Sequence, residues 1–208
     1  GIVGSLGAIF SCIEGNHIHN IHSRRLFSGD ELAAIKLHGA IDVLISNNRI
    51  HDSWRGLWLD WMAQGTRVSR NLFYHHGSED VFVEVNHGPF LIDNNLLLSK
   101  YSLQNASEGG AYVHNLMAGA IAMWPSLDRE TPYHPPHRTD IAGLVNVKGG
   151  DDRFFNNIFV PARLSEPIER YGLGMYDTNE FPLRTGGNAY YRGARPYARE
   201  ADPLVVPA

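Results

Sequence analysis

Residues 56–65 read GLWLDWMAQG, and whether they form a helix or a strand decides the fold. A helix is one reading, because Trp54, Leu57, Trp58 and Trp61 fall at i, i+3, i+4 and i+7. A strand is the other, with Leu57 and Leu59 on one face and Trp58 and Asp60 on the opposite one. The stretch alone does not choose between them, so the choice falls to the chain around it.

That chain repeats. Two or three apolar or small residues, an asparagine and an apolar pair recur as CIEGNHI (12–18), VLISNNRI (43–50), TRVSRNLF (66–73), FLIDNNLL (90–97), YVHNLM (112–117), RFFNNIF (153–159) and, more weakly, RTGGNAY (184–190). The anchors are Asn16, Asn48, Asn71, Asn95, Asn115, Asn157 and Asn188, spaced 32, 23, 24, 20, 42 and 31 residues apart. Short β-rich segments at such a period predict a solenoid in which each repeat is one rung. The asparagines suit the bends. They tolerate left-handed backbone, and their amides can bond turn backbone or one another.

With rungs in place, GLWLDW aligns with DVFVEV (80–85), one rung on: Leu57 meets Val81, Trp58 meets Phe82, Leu59 meets Val83 and Asp60 meets Glu84. IKLH (35–38) aligns below, placing Lys36 under Trp58 and His38 under Asp60. Alternation turns Ile35, Leu37, Leu57, Leu59, Val81 and Val83 inward, so Lys36–Trp58–Phe82 and His38–Asp60–Glu84 form outward rows. A helix would make this register a coincidence, so the strand reading stands.

Adjacent parallel strands lie about 4.8 Å apart, so Asp60 and Glu84 are expected to hold their carboxyl groups roughly 5 Å apart. Two like charges at that distance drive one pKa up, leaving an acid beside a base. The separation matches a retaining glycosidase, whereas an inverting pair stands wider to admit water. A plain alternative is a solvated acidic ladder neutralised by Lys36 and Arg55. Trp58, Trp61 and Phe82 would offer faces to a sugar ring, and His38, Asn86 and His87 hydrogen-bonding groups to its hydroxyls.

Composition narrows the classes. The chain has 208 residues, a formal charge of −4 and no basic block, which argues against nucleic acid as a partner. No apolar run approaches the roughly 20 residues of a membrane span. Cys12 is the only cysteine, which excludes an internal disulfide and a cysteine-built metal site. Localisation is left open. His17 and His19 share a face that could hold a metal, but no carboxylate is paired with them in the sequence, so satisfied surface histidines are expected. PYHPPHRTD (132–140) lies in the longest inter-anchor gap, which makes His134, His137 and Arg138 candidates to reach the groove. Glu108 follows Glu84 by 24 residues, but an early anchor leaves its register open.

The motifs AAIKLHGAIDV, GLWLDWMAQGTRVSRNLF, VFVEVNHGPFLIDNNLLLS, EGGAYVHNLMAG and TPYHPPH…IAGL…GGDDRFFNNIFV resemble glycoside hydrolase family 120, over most of residues 1–160. The resemblance implies a right-handed parallel β-helix, all-β, and a retaining β-xylosidase that takes xylobiose and short xylo-oligosaccharides from the non-reducing end. It implies Asp60 as nucleophile and Glu84 as acid/base; the register alone leaves the two roles open. Through GDELAAIKLH it adds Glu31, otherwise read as a turn residue, to a substrate-binding set of Glu31, Lys36, His38, Trp58, Trp61, Asn86 and His87. No cofactor and no metal are expected, and an oligosaccharide is the expected partner. Family members look longer, so the chain is expected to be part of a longer protein: residues 1–195 a β-helix catalytic domain, and 196–208 an exit segment or the start of a further domain. Exposed solenoid edges leave room for a homo-oligomer. Two other readings compete. A polysaccharide lyase would use Asp151 and Asp152 for Ca²⁺ and a basic residue against uronates. A non-catalytic solenoid would bind carbohydrate without cleaving it.

Overall fold

The computed structural model describes residues 1–26, 30–124, 126–179 and 183–207. Their strands form three parallel sheets. The first holds β1 (Ile2–Gly4), β4 (Ala33–His38), β7 (Arg55–Asp60), β10 (Glu79–Glu84), β13 (Tyr101–Ala106) and β16 (Ala120–Met123). The second holds β2 (Cys12–Glu14), β5 (Leu44–Ser46), β8 (Arg67–Ser69), β11 (Phe90–Asp93), β14 (Gly110–Val113), β19 (Arg153–Phe155) and β21 (Arg184–Gly186). The third holds β3 (His17–His19), β6 (Arg49–His51), β9 (Leu72–Tyr74), β12 (Leu96–Leu97), β15 (Leu116–Met117), β20 (Ile158–Phe159), β22 (Ala189–Tyr190) and β23 (Leu204–Val205). From β1 to β20 each rung contributes one strand to each sheet in turn, which is a parallel β-helix; the last strands, β21–β23, extend only the second and third sheets. GLWLDW is strand β7, not a helix.

The core is made of columns. In the third sheet Ile18, Ile50, Phe73, Leu97, Met117, Phe159 and Tyr190 are register partners rung after rung, and all are buried. In the first sheet Ile35, Leu57, Val81, Leu103 and Ile121 do the same. Each such side chain contributes about 1.5–3 kcal/mol on burial, so the stack, not the short strands, holds the helix together.

Every anchor asparagine belongs to one hydrogen-bonded ladder. The Oδ1 of Asn48, Asn71, Asn95, Asn115, Asn157 and Asn188 accepts from the backbone N–H and the Nδ2 of the asparagine one rung earlier, at 2.9–3.1 Å. From Asn48 onward each Nδ2 also donates to a carbonyl of the preceding rung, for example Asn95 to Val68 (2.9 Å). The row ends on the buried carboxylate of Glu200, which accepts from Asn188 Nδ2 (2.8 Å) and the Tyr190 hydroxyl (2.5 Å). One expectation is corrected here. The left-handed residue is not the ladder asparagine but the one before it: Gly15, Asn47, Arg70, Asn94, His114, Asn156 and Gly187. That residue turns the chain so that the next amide points inward.

The long gap between Asn115 and Asn157 carries an antiparallel hairpin, β17 (Glu130–Tyr133) and β18 (Gly143–Asn146). After β20, two short 3₁₀ segments, Ile168–Arg170 and Gly174–Thr178, bring buried Tyr171, Leu173 and Tyr176 against the core where the first sheet stops. Residues 196–207 do not simply leave: β23 pairs in parallel with β22, so strand pairing continues past residue 195. No helix among the described residues is long and apolar enough to cross a membrane.

Candidate active site

His38, Asp60 and Glu84 are the last residues of β4, β7 and β10, and they are direct register partners. Lys36, Trp58 and Phe82 stand two residues earlier, also in register. Each member of the row is followed by a left-handed residue: Gly39 (φ 60°), Trp61 (φ 51°) and Val85 (φ 47°). Left-handed backbone is costly for a β-branched residue such as Val85. The sharp turn leaves the carboxyl groups at the lip of the sheet instead of buried in the next strand. One rung on, Ala106 occupies the row, so the acidic pair is bounded by a small side chain.

The surroundings treat the two acids differently. Asp60 is 6% exposed, and its Oδ2 meets Lys36 Nζ at 2.7 Å and His38 Nε2 at 2.9 Å. Lys36 is itself 1% exposed and also reaches Glu31 Oε1 at 2.8 Å. The two carboxylates offset the cost of burying this side chain. Among the described residues Glu84 has no such partner at close range. Its Oε2 accepts the Trp58 indole N–H at 2.9 Å, and Arg129 stands 3.5 Å from Oε1. Burial, then the negative charge of Asp60 and a hydrogen bond to it, push Glu84 up to about 6 against the pull of Trp58 and Arg129. One carboxyl therefore holds its proton more tightly than an ordinary glutamate, beside an ion-paired neighbour. That is the arrangement acid–base chemistry needs.

A cleft of about 370 Å³ opens over this pair, lined by Asp30, Glu31, His38, Trp58, Asp60, Trp61, Glu84 and Arg129. Trp61 divides it from a more apolar cleft of about 360 Å³ formed with Leu6, Met62, Pro132, His134 and Ile141. Glu31, His38 and Asp60 come close enough to hold a cation, but the Lys36 ammonium already lies within 2.8 Å of both carboxylates.

Not every expected residue faces the cleft. Asn86 is fully buried: its Oδ1 accepts from Ala63 N (2.6 Å) and its Nδ2 donates to Leu59 O (3.0 Å) and Ser107 Oγ (3.1 Å). It fixes the turn after the acidic row, its side-chain oxygen and nitrogen both taken up by the fold. His87 spends both ring nitrogens on Glu108 (2.8 Å) and Thr131 O (2.9 Å), tying the hairpin to the helix, and the Glu108 carboxylate raises its pKa. Glu108 lies off the acidic row, bridged instead to Gly150. Trp58 is only 3% exposed, with Lys36 Nζ 3.3 Å from its ring centroid and the Arg55 guanidinium at 4.5 Å. It positions Glu84 through its N–H and offers no open face for stacking. Phe82 is buried beside it. Arg55 pairs with Glu79, not with the acidic row. In the 132–140 loop, His134 is buried against Gln64 and Asp140, His137 pairs with Asp42, and Arg138 is exposed. Asp151 is exposed beside Arg153, whereas Asp152 is fully buried and bonded by Asn105 and Gly110 N. Those two acids do not make one calcium cage. Sequence reasoning missed Asp30 and Arg129. Arg129 does sit in the long inter-anchor gap that drew notice, just ahead of the segment singled out there.

Stacked rungs, a buried asparagine ladder and a polar cleft on one sheet define the class. The chain belongs to the right-handed β-helix family: the model described as "Right handed beta helix region" matches residues 6–118. The fold is thus the solenoid expected from the repeat, and the right-handed parallel β-helix that the resemblance implied. Among solved structures, "The complex structure of XylC with xylose" is similar to this chain at 49% identity and a TM-score of 0.92, over 99% of this chain and 35% of that one. The chain therefore spans about a third of that chain's length. The resemblance to glycoside hydrolase family 120 is borne out by this match. No curated protein matches the chain.

Proposed function

We propose that this chain carries the catalytic centre of a retaining glycoside hydrolase that releases xylose from xylobiose and short β-1,4-xylo-oligosaccharides. The observation that carries the reading is the adjacent-rung pair: Asp60 ion-paired to Lys36 and His38, and Glu84 raised to about 6. Glu84 protonates the glycosidic oxygen while Asp60 attacks the anomeric carbon. The resulting glycosyl ester is hydrolysed when Glu84 takes a proton from water, so the product keeps its configuration. Lys36 holds Asp60 in place through the 2.7 Å ion pair. The division of labour follows the family resemblance and agrees with the electrostatics, because the acid must begin protonated and the nucleophile ionised. The cleft beyond Trp61 offers room for the departing portion of the substrate. A match to a structure holding xylose supports a sugar as ligand.

An NMR time course on a panel of aryl glycosides tests the reading. The β-xyloside should be preferred and the first-formed anomer should be β. Accumulation of the α anomer first, or an unsaturated uronate product lost on adding EDTA, would reject it. Binding of xylo-oligosaccharides with no turnover by the full-length protein would support a non-catalytic solenoid instead.

A further inference from the structure

On the third sheet, away from the cleft, two imidazoles converge. His17 Nε2 and His51 Nε2 lie 2.7 Å apart. They come from neighbouring rungs, β3 and β6, and sit diagonally across the register: His19 is the strand partner of His51, and Arg49 that of His17. His51 is clamped. Its ring is stacked between His19 (centroids 5.2 Å, 9°) and Tyr74 (4.5 Å, 15°). Its Nδ1 contacts Asp52 Oδ2 at 2.5 Å. The carboxylate can only accept, so it fixes the proton on Nδ1 and leaves the Nε2 lone pair aimed at His17. Arg49, the nearest cation along the strand, turns its guanidinium to the Tyr74 hydroxyl at 2.8 Å.

We propose that His17 and His51 form a surface site for a divalent transition-metal ion such as Zn²⁺ or Ni²⁺, with Asp52 orienting His51 and water filling the remaining positions. Three features carry it. Two Nε2 atoms converge on one point. A carboxylate backs one ring, the usual arrangement behind a metal-bound histidine. His17 is exposed, so an ion and its waters have access. Zn–N bonds of about 2.0–2.1 Å at a tetrahedral angle place two nitrogens about 3.3 Å apart, so the exposed His17 ring must swing out by roughly half an ångström. The site lies on a different sheet from the acidic row and does not depend on the proposed hydrolase.

Isothermal titration of tag-free protein with ZnCl₂ and with NiCl₂ tests it. Wild type should take up one ion per chain. His17→Gln and His51→Gln should each weaken binding more than tenfold, and Asp52→Asn, which keeps the shape of the side chain but not its charge, by about 10–100-fold. An Asp60→Asn variant should bind as wild type, separating this site from the cleft. Ni²⁺ should also broaden the ring NMR signals of His17 and His51 first, a check that needs no variant. No saturable uptake, uptake unaltered in His17→Gln and His51→Gln, or first broadening at other histidines would overturn the proposal.

Discussion

The asparagine ladder and the row His38–Asp60–Glu84 are built by one device on two corners of the same rungs. Both place equivalent side chains at strand spacing, about 4.8 Å apart. Their chemistry then diverges. An amide both donates and accepts, so each asparagine satisfies its neighbour and the row is stable buried. A carboxylate only accepts, so stacking two of them creates conflict: burial first and then the charge of Asp60 raise the pKa of Glu84, and a buried lysine stands against Asp60. Repetition supports structure where the repeated group complements itself, and supports reactivity where it does not.

Perturbing each row sharpens that contrast. The largest effect is expected from Asp60→Ala, a loss of at least about 10⁴-fold in kcat on an aryl β-xyloside, the scale seen when one member of a catalytic unit is removed. Added azide should restore turnover and give the inverted glycosyl azide; wild-type activity without azide would remove Asp60 from the mechanism. Next comes Glu84→Gln, expected to cost about 10²–10⁴-fold, with smaller losses for leaving groups that need no proton. A uniform loss across a leaving-group series would break that assignment.

Asn95→Ala attacks the other corner. It leaves Asn71 N and Nδ2 and Val68 O without their Asn95 partners in the core, and Asn115 Oδ1 with only the backbone N–H of residue 95. A cost of about 2–4 kcal/mol in urea unfolding is expected, with kcat per folded molecule nearly unchanged. A stability loss under about 0.5 kcal/mol would show that the amides are spectators. The smallest effect concerns pH. In the proposed mechanism Glu84 enters protonated, so kcat/KM should be full below its pKa and fall as pH rises through about 6. Trp58→Phe removes an N–H that favours the ionised form, so Glu84 should titrate higher and the basic limb should move up by about half a unit. A downward move would contradict the role given to the indole.

Much of this was legible in the sequence because strand alternation is strict. Two aligned pairs, Leu37 with Leu59 and Leu59 with Val83, fix every neighbour, so Lys36, Trp58, His38, Asp60 and Glu84 all fell in their observed register. Alternation says which way a side chain points but not what covers it. Trp58 does point outward, yet Lys36 and Arg55 roof its ring. Asn86 and His87 lie just past the strand end, where alternation no longer applies, and a turn consumed both. Arg129 reaches the cleft from an insertion whose path no local pattern encodes.

The end of the ladder at Glu200 has a consequence for how such a chain can grow. An asparagine passes the pattern on, since its N–H reaches forward while its carbonyl receives from behind. Glu200 receives from Asn188 and Tyr190 and has no side-chain N–H to hand onward. Strand pairing goes one step further through β23, but the amide message does not. A single carboxylate thus closes the hydrogen bonds of Asn188, and a rung inserted between the two must bring its own asparagine to be read as one of the series.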